Sequence, residues 1–565
     1  MTRPQRPETG PVFSLADELV FALAEAAPIQ ATMVGVPGHD HRFGDLGPAG
    51  VSRMAALLAG FRDRLRALPP ATDRWERLAA RVMEAFLDER LTDHARGEHW
   101  LDLNNIDSTP QHLRMVFDLM DTSTAEGWAA VVARLEALGE AARGYRDRLD
   151  EGRRRGEVVA RRQVRAVLEQ ARVNAGGESY FGTLSAAYAA LPFADVAAAA
   201  RLEAGVGAAR RAFAELADWL EAVYLPAARE ADPVGRDRYV HAASRFLGTT
   251  IDPEETYAWG WTEVRAIEAE LARVAAEIVP GASAREVVAR LESDPSRSAS
   301  SRDEFLATMR ERQDRALADL AGHHFDIPDP LRRLEVRMAP PGGALGAYYV
   351  PPSEDFSRPG TVWYAPGDLT RFPLWSEVTT AYHEGFPGHH LQCGLAVHLA
   401  DRLSRLHRLF VMYSGHAEGW ALYAEQLMHE LGYLERPEYV LGMLAAKLMR
   451  ACRVVVDIGL HLGLAIPAGE PHAGRVWDYD IAVEMMHERA FLSLDHATSE
   501  VTRYLGWPGQ AISYKVGERV ILELRREARR RAGDAFDPKD FHGRVLGTGS
   551  VGLELLRELV LDAPA

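Results

Sequence analysis

Lysine is nearly absent from this chain of 565 residues: Lys447, Lys515 and Lys539 are the only ones, and every other base is arginine. That bias, with abundant alanine, reflects a GC-rich coding sequence rather than a function. No long Lys/Arg block occurs, and 65 Lys+Arg against 81 Asp+Glu leave a net charge of −16. Binding to nucleic-acid phosphates needs a basic face, so no nucleic-acid partner is expected. Cysteine is scarce too. Cys393 and Cys452 cannot build a disulfide framework, and their separation fits no metal knuckle. Two buried, apolar thiols in a reducing compartment are expected instead. No uncharged apolar run reaches about 18 residues, so no membrane span is expected. The start, Met1 to Leu15, is polar and proline-bearing and lacks the apolar core of a signal peptide. These absences predict a cytoplasmic protein.

What is there is globular in composition: 47% hydrophobic, 26% charged and 8% aromatic, which excludes wholesale disorder. The expected organisation is a single helical catalytic unit over 1–565, divisible if at all into 1–300 and 301–565. Ser293–Ser301 is the one weak boundary. Most of the first 325 residues carry helical periodicity. Leu58, Phe61, Leu65 and Leu68 recur at helix spacing, as do Trp75, Leu78, Val82 and Phe86. Longer patterns cover about 124–150, 155–172, 196–230, 253–279 and 300–322. Asp252 and Ser301 stand as N-caps before two of them. Between about 330 and 370 the texture changes. Leu334–Met338, Gly346–Val350 and Thr361–Tyr364 alternate like strands between Pro/Gly/Ser turns. The fold class is therefore mainly α, with a small β-sheet inserted near 333–365 and helix from about 375 onward.

The chemistry concentrates in His383-Glu384-Gly385-Phe386-Pro387-Gly388-His389-His390. In the zincin pattern H-E-x-x-H, two histidines one helical turn apart reach one metal while the glutamate works on bound water. Here Pro387 occupies the fifth position. Histidines six apart on a straight helix point about 120° apart and do not share an ion. Pro387 disfavours helix at Phe386 and Gly388 permits unusual dihedrals. A Pro-Gly bulge that loops out two residues restores a one-turn offset between His383 and His389; one that loops out three brings His390 instead.

A third ligand is expected from a second helix. Glu418, within Ser414-Gly415-His416-Ala417-Glu418-Gly419-Trp420, stands in an apolar stretch where a carboxylate needs a charge or metal beside it. Glu425, two turns on, is a supporting partner of the ligands or simply exposed. Arg450, Arg453 and Asp457 share one face of another apolar helix, as an ion-pair network or as support for the ligands. His461 orients a ligand or contacts substrate. Pro508-Gly509 opens a helix whose first turn offers Gln510 and Tyr514 on one face, the tyrosine as an oxyanion donor. Tyr348 and Tyr349 are candidates to line the substrate site.

The histidine motif with its Pro-Gly insertion, His416-Ala417-Glu418-Gly419-Trp420 and Gln510 to Gly517 together resemble the bacterial family designated domain of unknown function 885. The likeness runs over essentially the whole chain, including Ala31-Thr32 and the Gly343–Asp368 segment. More remotely the motifs are similar to helical zinc peptidases: angiotensin-converting enzyme, thimet oligopeptidase and carboxypeptidase Taq. That resemblance implies a large helical metallopeptidase-like fold with a deep cleft and zinc at its floor. Glu418-Gly419-Trp420 is similar to the Glu-x-Trp at the third ligand of thimet oligopeptidase.

The expected function is a zinc-dependent hydrolase, most simply a metallopeptidase on short peptides. His383, His389 or His390, and Glu418 hold the metal, Glu384 is the general base, and Tyr514 stabilises the oxyanion. An edge strand from 345–350 or 361–364 aligns an extended peptide. The alternatives are a metal-dependent hydrolase of a small non-peptide amide, or a metal-binding protein without catalysis.

Overall fold

The computed structural model describes residues 10–339, 346–367 and 369–561. The first nine residues of the expected polar start lie outside the described residues, as do Gly343 to Leu345 and Asp368 of the segment that carries part of the family resemblance. The chain is mainly α, with short strands confined to the middle of the sequence. The predicted helices form at Ala125–Arg154, Arg161–Ala175, Val196–Trp219, Pro253–Ile278 and Arg302–Leu320. Asp252 and Ser301 do cap two of them, accepting from the N–H groups of Glu255 and Glu304. The pattern read from 155 starts late because Gly156 takes a left-handed φ of 81° after the preceding helix.

Two compact units result. The first runs to Asp232 and takes in Ser404–Phe410 and Leu505–Trp507; the second comprises Pro233–Leu403, Val411–Tyr504 and the chain from Pro508 on. The division thus falls at 232/233, not near 300. The cause is packing: helix Pro253–Ile278 lies along helix Pro437–Leu462, with Gly260 pressed against Val454 and Val455, which commits it to the second unit. Ser293–Ser301 is no linker, since Ser298–Ala299 pairs antiparallel with Phe372–Pro373. In the first unit a core of Trp128, Leu135, Tyr145, Val167, Phe181 and Phe213 joins the helices. Buried Arg134 donates there to Thr32 and to the carbonyls of His39 and Arg42.

The second unit holds the inserted sheet. Its central strand is Gly360–Ala365, with Leu334–Met338 parallel on one side and Gly346–Val350 antiparallel on the other. The segment 361–364 is therefore paired on both edges and has no free edge for a peptide, which corrects one of the two strand assignments. Gly346–Val350 keeps an outer edge unpaired among the described strands. One helix also starts later than its Pro-Gly signal suggests. Gly509 is left-handed and packs against Ala243, so the helix opens at Ser513 and Gln510 precedes it.

Candidate metal centre

The histidine motif folds as two helices, Glu377–Glu384 and His389–His398, not as one helix with a bulge. The turn between them is tied by backbone bonds: Gly385 N–H to Ala381 O (2.9 Å), Gly388 N–H to Tyr382 O (3.1 Å) and His390 N–H to Gly385 O (3.2 Å). The Phe386–Pro387 peptide is cis. A side chain at Gly388 would run into the His383 and Tyr382 carbonyl oxygens, so the turn closes only on glycine. Two neighbours clamp it. Gln313 of helix Arg302–Leu320 donates to Ala381 O and accepts from Phe386 N–H, both at 2.7 Å. Trp420 donates its indole N–H to Pro387 O at 2.9 Å. Gln313 was no sequence candidate. Its one signal is a polar residue between Met309 and Leu317 on a buried helix face.

This turn brings His383 and His389 together, with ring centroids 4.9 Å apart and nearly perpendicular planes. Both Nε2 atoms face one oxygen. Glu418 Oε2, on helix Ser414–Glu430, is 3.4 Å from His383 Nε2 and 3.7 Å from His389 Nε2. Glu384 Oε1 stands 4.0 Å from His383 Nε2, and His383, Glu384 and His389 each place a ligand atom within 4.8 Å of the others. Bonds of 2.0–2.2 Å in a tetrahedron put ligand atoms about 3.4 Å apart. The Glu418 oxygen is buried and has no hydrogen-bond partner among the described residues. Two imidazoles, one unpartnered carboxylate oxygen and this spacing fit a zinc-type ion.

His390 faces elsewhere. Its Nε2 is 2.8 Å from Leu331 O and its Nδ1 3.0 Å from the Tyr349 hydroxyl, so both ring nitrogens are engaged away from the cluster. Burial pushes its pKa down to about 4 and leaves it neutral.

Charges of both signs crowd the cluster: Glu384, Glu418 and Glu425 stand with His383, His389 and Arg450. For Glu418, burial raises the carboxyl, but His383 and His389 outweigh it and hold it well below the usual range. For His383, burial and Arg450 lower the imidazole, yet Glu418 and Glu425 win and push it up to about 9. Glu384 is raised by burial, against the pull of the two histidines. Behind His383 sits Glu425, which is fully buried rather than exposed. It bonds His383 Nδ1 at 2.8 Å and accepts from Thr379 at 2.5 Å, with Arg450 Nη1 at 3.2 Å. A carboxylate on Nδ1 engages that nitrogen and leaves Nε2, toward Glu418, as the one available to a metal.

Helix Ser513–Ala532 crosses helix Ser414–Glu430 at Gly415, Gly419 and Gly517, where a Cβ on Gly419 or Gly517 would strike the opposing backbone. The close crossing sets the centre of the Tyr514 ring 5.8 Å from the Arg450 guanidinium carbon, which itself stands beside His383. Burial first, then the Glu418 charge, raise its phenol pKa.

The other candidates separate. Gln510 is buried, accepting from Arg503 at 2.5 Å and donating to Ser414 at 3.3 Å. Tyr349 pairs with His390 as above, and Tyr348 is 43% exposed and stacks on Trp363. His461 is buried on the Arg450 helix, three turns further along. Its Nδ1 accepts from Val234 N–H at 3.4 Å and its Nε2 lies 3.0 Å from Tyr504 O, so it is not brought to the cluster. Arg450, Arg453 and Asp457 serve different partners: Glu425, Glu500 (2.7 Å) and the Tyr239 hydroxyl (2.8 Å). Cys393 and Cys452 are unpaired, and burial pushes both thiols up to about 12. Among the described residues no helix is long and apolar enough to cross a membrane.

A family model described as "Bacterial protein of unknown function (DUF885)" matches residues 28–560. Two solved structures share the fold. A "putative lipoprotein" from Colwellia psychrerythraea superposes with a TM-score of 0.84 at 23% identity, covering 98% of each chain. A "putative lipoprotein of unknown function" from Shewanella oneidensis gives a TM-score of 0.76 at 20% identity, covering 98% of this chain and 100% of that one. No curated protein matches the sequence.

Proposed function

The chain belongs to the bacterial DUF885 family, and from the geometry of its histidine–carboxylate cluster we propose that it is a zinc-dependent hydrolase cleaving short peptides. One observation carries this reading: the unpartnered Glu418 oxygen faces the Nε2 atoms of His383 and His389 at 3.4 and 3.7 Å, with Glu384 beside them. Zinc bound there supplies Lewis acidity and lowers the pKa of water to about 7.

The rest is the work of side chains. His383, His389 and Glu418 are the three protein ligands, and Glu425 orients His383. Glu384 takes a proton from the attacking water and returns it to the leaving nitrogen; burial, which raises its pKa, suits both steps. Tyr514 donates a hydrogen bond from its hydroxyl to the developing oxyanion. The outer edge of Gly346–Val350 supports a peptide substrate, because its main-chain donors and acceptors are used by no other described strand. A cytoplasmic setting belongs to the same reading and rests on two free thiols.

Glu384→Gln tests the enzyme role. The variant keeps one zinc per chain and loses at least about 100-fold in kcat on any peptide the wild type cleaves. Equal kcat in the two proteins removes Glu384 as the base.

A further inference from the structure

Three guanidinium groups stand along one side of this cluster. Arg450 and Arg453 lie one turn apart on helix Pro437–Leu462, and Arg503 comes from helix Leu494–Gly506. The Arg453 and Arg450 guanidinium carbons are 4.8 and 5.8 Å from the centre of the Tyr514 ring. The charges of all three bear on the Tyr514 hydroxyl.

Two carboxylates meet these three cations, and both are shared. Glu500 binds Arg453 at 2.7 Å and Arg503 at 3.0 Å. Glu425 serves Arg450 only after His383 and Thr379. The next acid on the helix, Asp457, is taken by the Tyr239 hydroxyl at 2.8 Å and the Gly509 N–H at 3.0 Å.

Arg450 is the least satisfied. Its Nε and Nη1 are buried without a hydrogen-bond partner among the described residues, although Nη1 is 3.2 Å from Glu425. Its Nη2 lies 3.4 Å from His383 Nδ1, which sets it beside the centre. Its carboxylate neighbour is thus shared and poorly aligned, which leaves the guanidinium with donors to spare, and a second carboxylate is the acceptor whose geometry and charge suit them.

We propose that Arg450, with Arg453 and Arg503 adding to the local positive field, binds a free carboxylate of the substrate. The substrates are then short peptides or acylated amino acids cut near a carboxylate terminus, not internal segments of long chains. This inference rests on the hydrolase reading and narrows it.

The test uses full-length Glu384→Gln protein loaded with zinc, which binds without turning over. N-acetyl dipeptides, each as the free acid and as the carboxamide, are titrated into it by calorimetry. The acids are expected to bind at least about tenfold tighter than their amides. Adding Arg450→Met, compared at full zinc loading verified by metal analysis, is expected to bring the ratio near one, while Arg450→Lys keeps part of it. Equal binding of acid and amide, or no binding of any acid at millimolar concentration with zinc in place, overturns the carboxylate site. So does an acid preference that survives Arg450→Met. Where Arg450→Met does not fold, Arg450→Lys carries the same comparison, and an acid/amide ratio unchanged in it overturns the role of Arg450. Protein that takes up no zinc overturns the hydrolase reading itself, a result read separately by metal analysis.

Discussion

At the scale of single residues, the proposed ligands and base are readable from sequence as candidates because their chemistry is local: His-Glu next to a Pro-Gly break, and a carboxylate in an apolar helix. Their supporting partners are not readable that way. Glu425 is seven residues from Glu418 and could face anything until the helix is packed; in the fold it holds His383 Nδ1 at 2.8 Å. Glu425→Gln removes the charge that orients that imidazole. Zinc affinity is expected to fall by about 10–100-fold, measured by competition with a chelator; unchanged affinity makes Glu425 a packing residue only.

His390 gives a pH test of the opposite kind. Its folded pKa, about 4, lies below the unfolded value near 6.5. The unfolded chain therefore binds more protons between those values. The stability contributed by neutral His390 is present above pH 6.5 and is lost as pH falls toward 4. By pH 5 the loss is about 2 kcal/mol relative to neutral pH. His390→Gln has no such group, so its stability deficit against wild type is expected to shrink by about that much between pH 7 and pH 5 in urea unfolding. A deficit that stays constant with pH contradicts a neutral buried imidazole.

At the scale of elements, helix periods and caps are legible because they repeat within a few residues, as at Asp252 and Ser301. The inserted sheet is legible in its strands but not in its order, since pairing Gly360–Ala365 with both neighbours is a long-range event. The turn between the motif helices is legible only as a break. What shapes it, Gln313 from one helix and Trp420 from another, comes from distant sequence. The helix crossing at Gly419 and Gly517 is likewise silent in sequence, because small residues announce a close approach only once the partner is known. Gly517→Ala is expected to destabilise by about 1–3 kcal/mol, since its methyl meets the Gly415 carbonyl and Gly419. Gly60→Ala, in a helix with open space around the new methyl, is the control and is expected to stabilise by about 0.5–1 kcal/mol. Thermal or urea unfolding of both variants reads the contrast, and equal effects refute the close crossing.

At the scale of the whole molecule, the division at 232/233 falls in a short non-helical stretch over 228–235 that carries Pro233 and Gly235; its length is that of an ordinary turn between helices, so the sequence does not single it out. All the residues placed in the metal centre belong to the second unit, so loss of the metal is expected to act on that unit's stability. Zinc that binds only the folded state raises the unfolding temperature with concentration.

The most direct measurement is the zinc content of purified protein beside His389→Ala, His390→Ala and Glu418→Ala. About one zinc per chain is expected in the wild type and in His390→Ala, and essentially none in His389→Ala and Glu418→Ala. Loss of zinc in His390→Ala with retention in His389→Ala contradicts the centre as built here, and so does a wild-type protein that takes up no zinc at all.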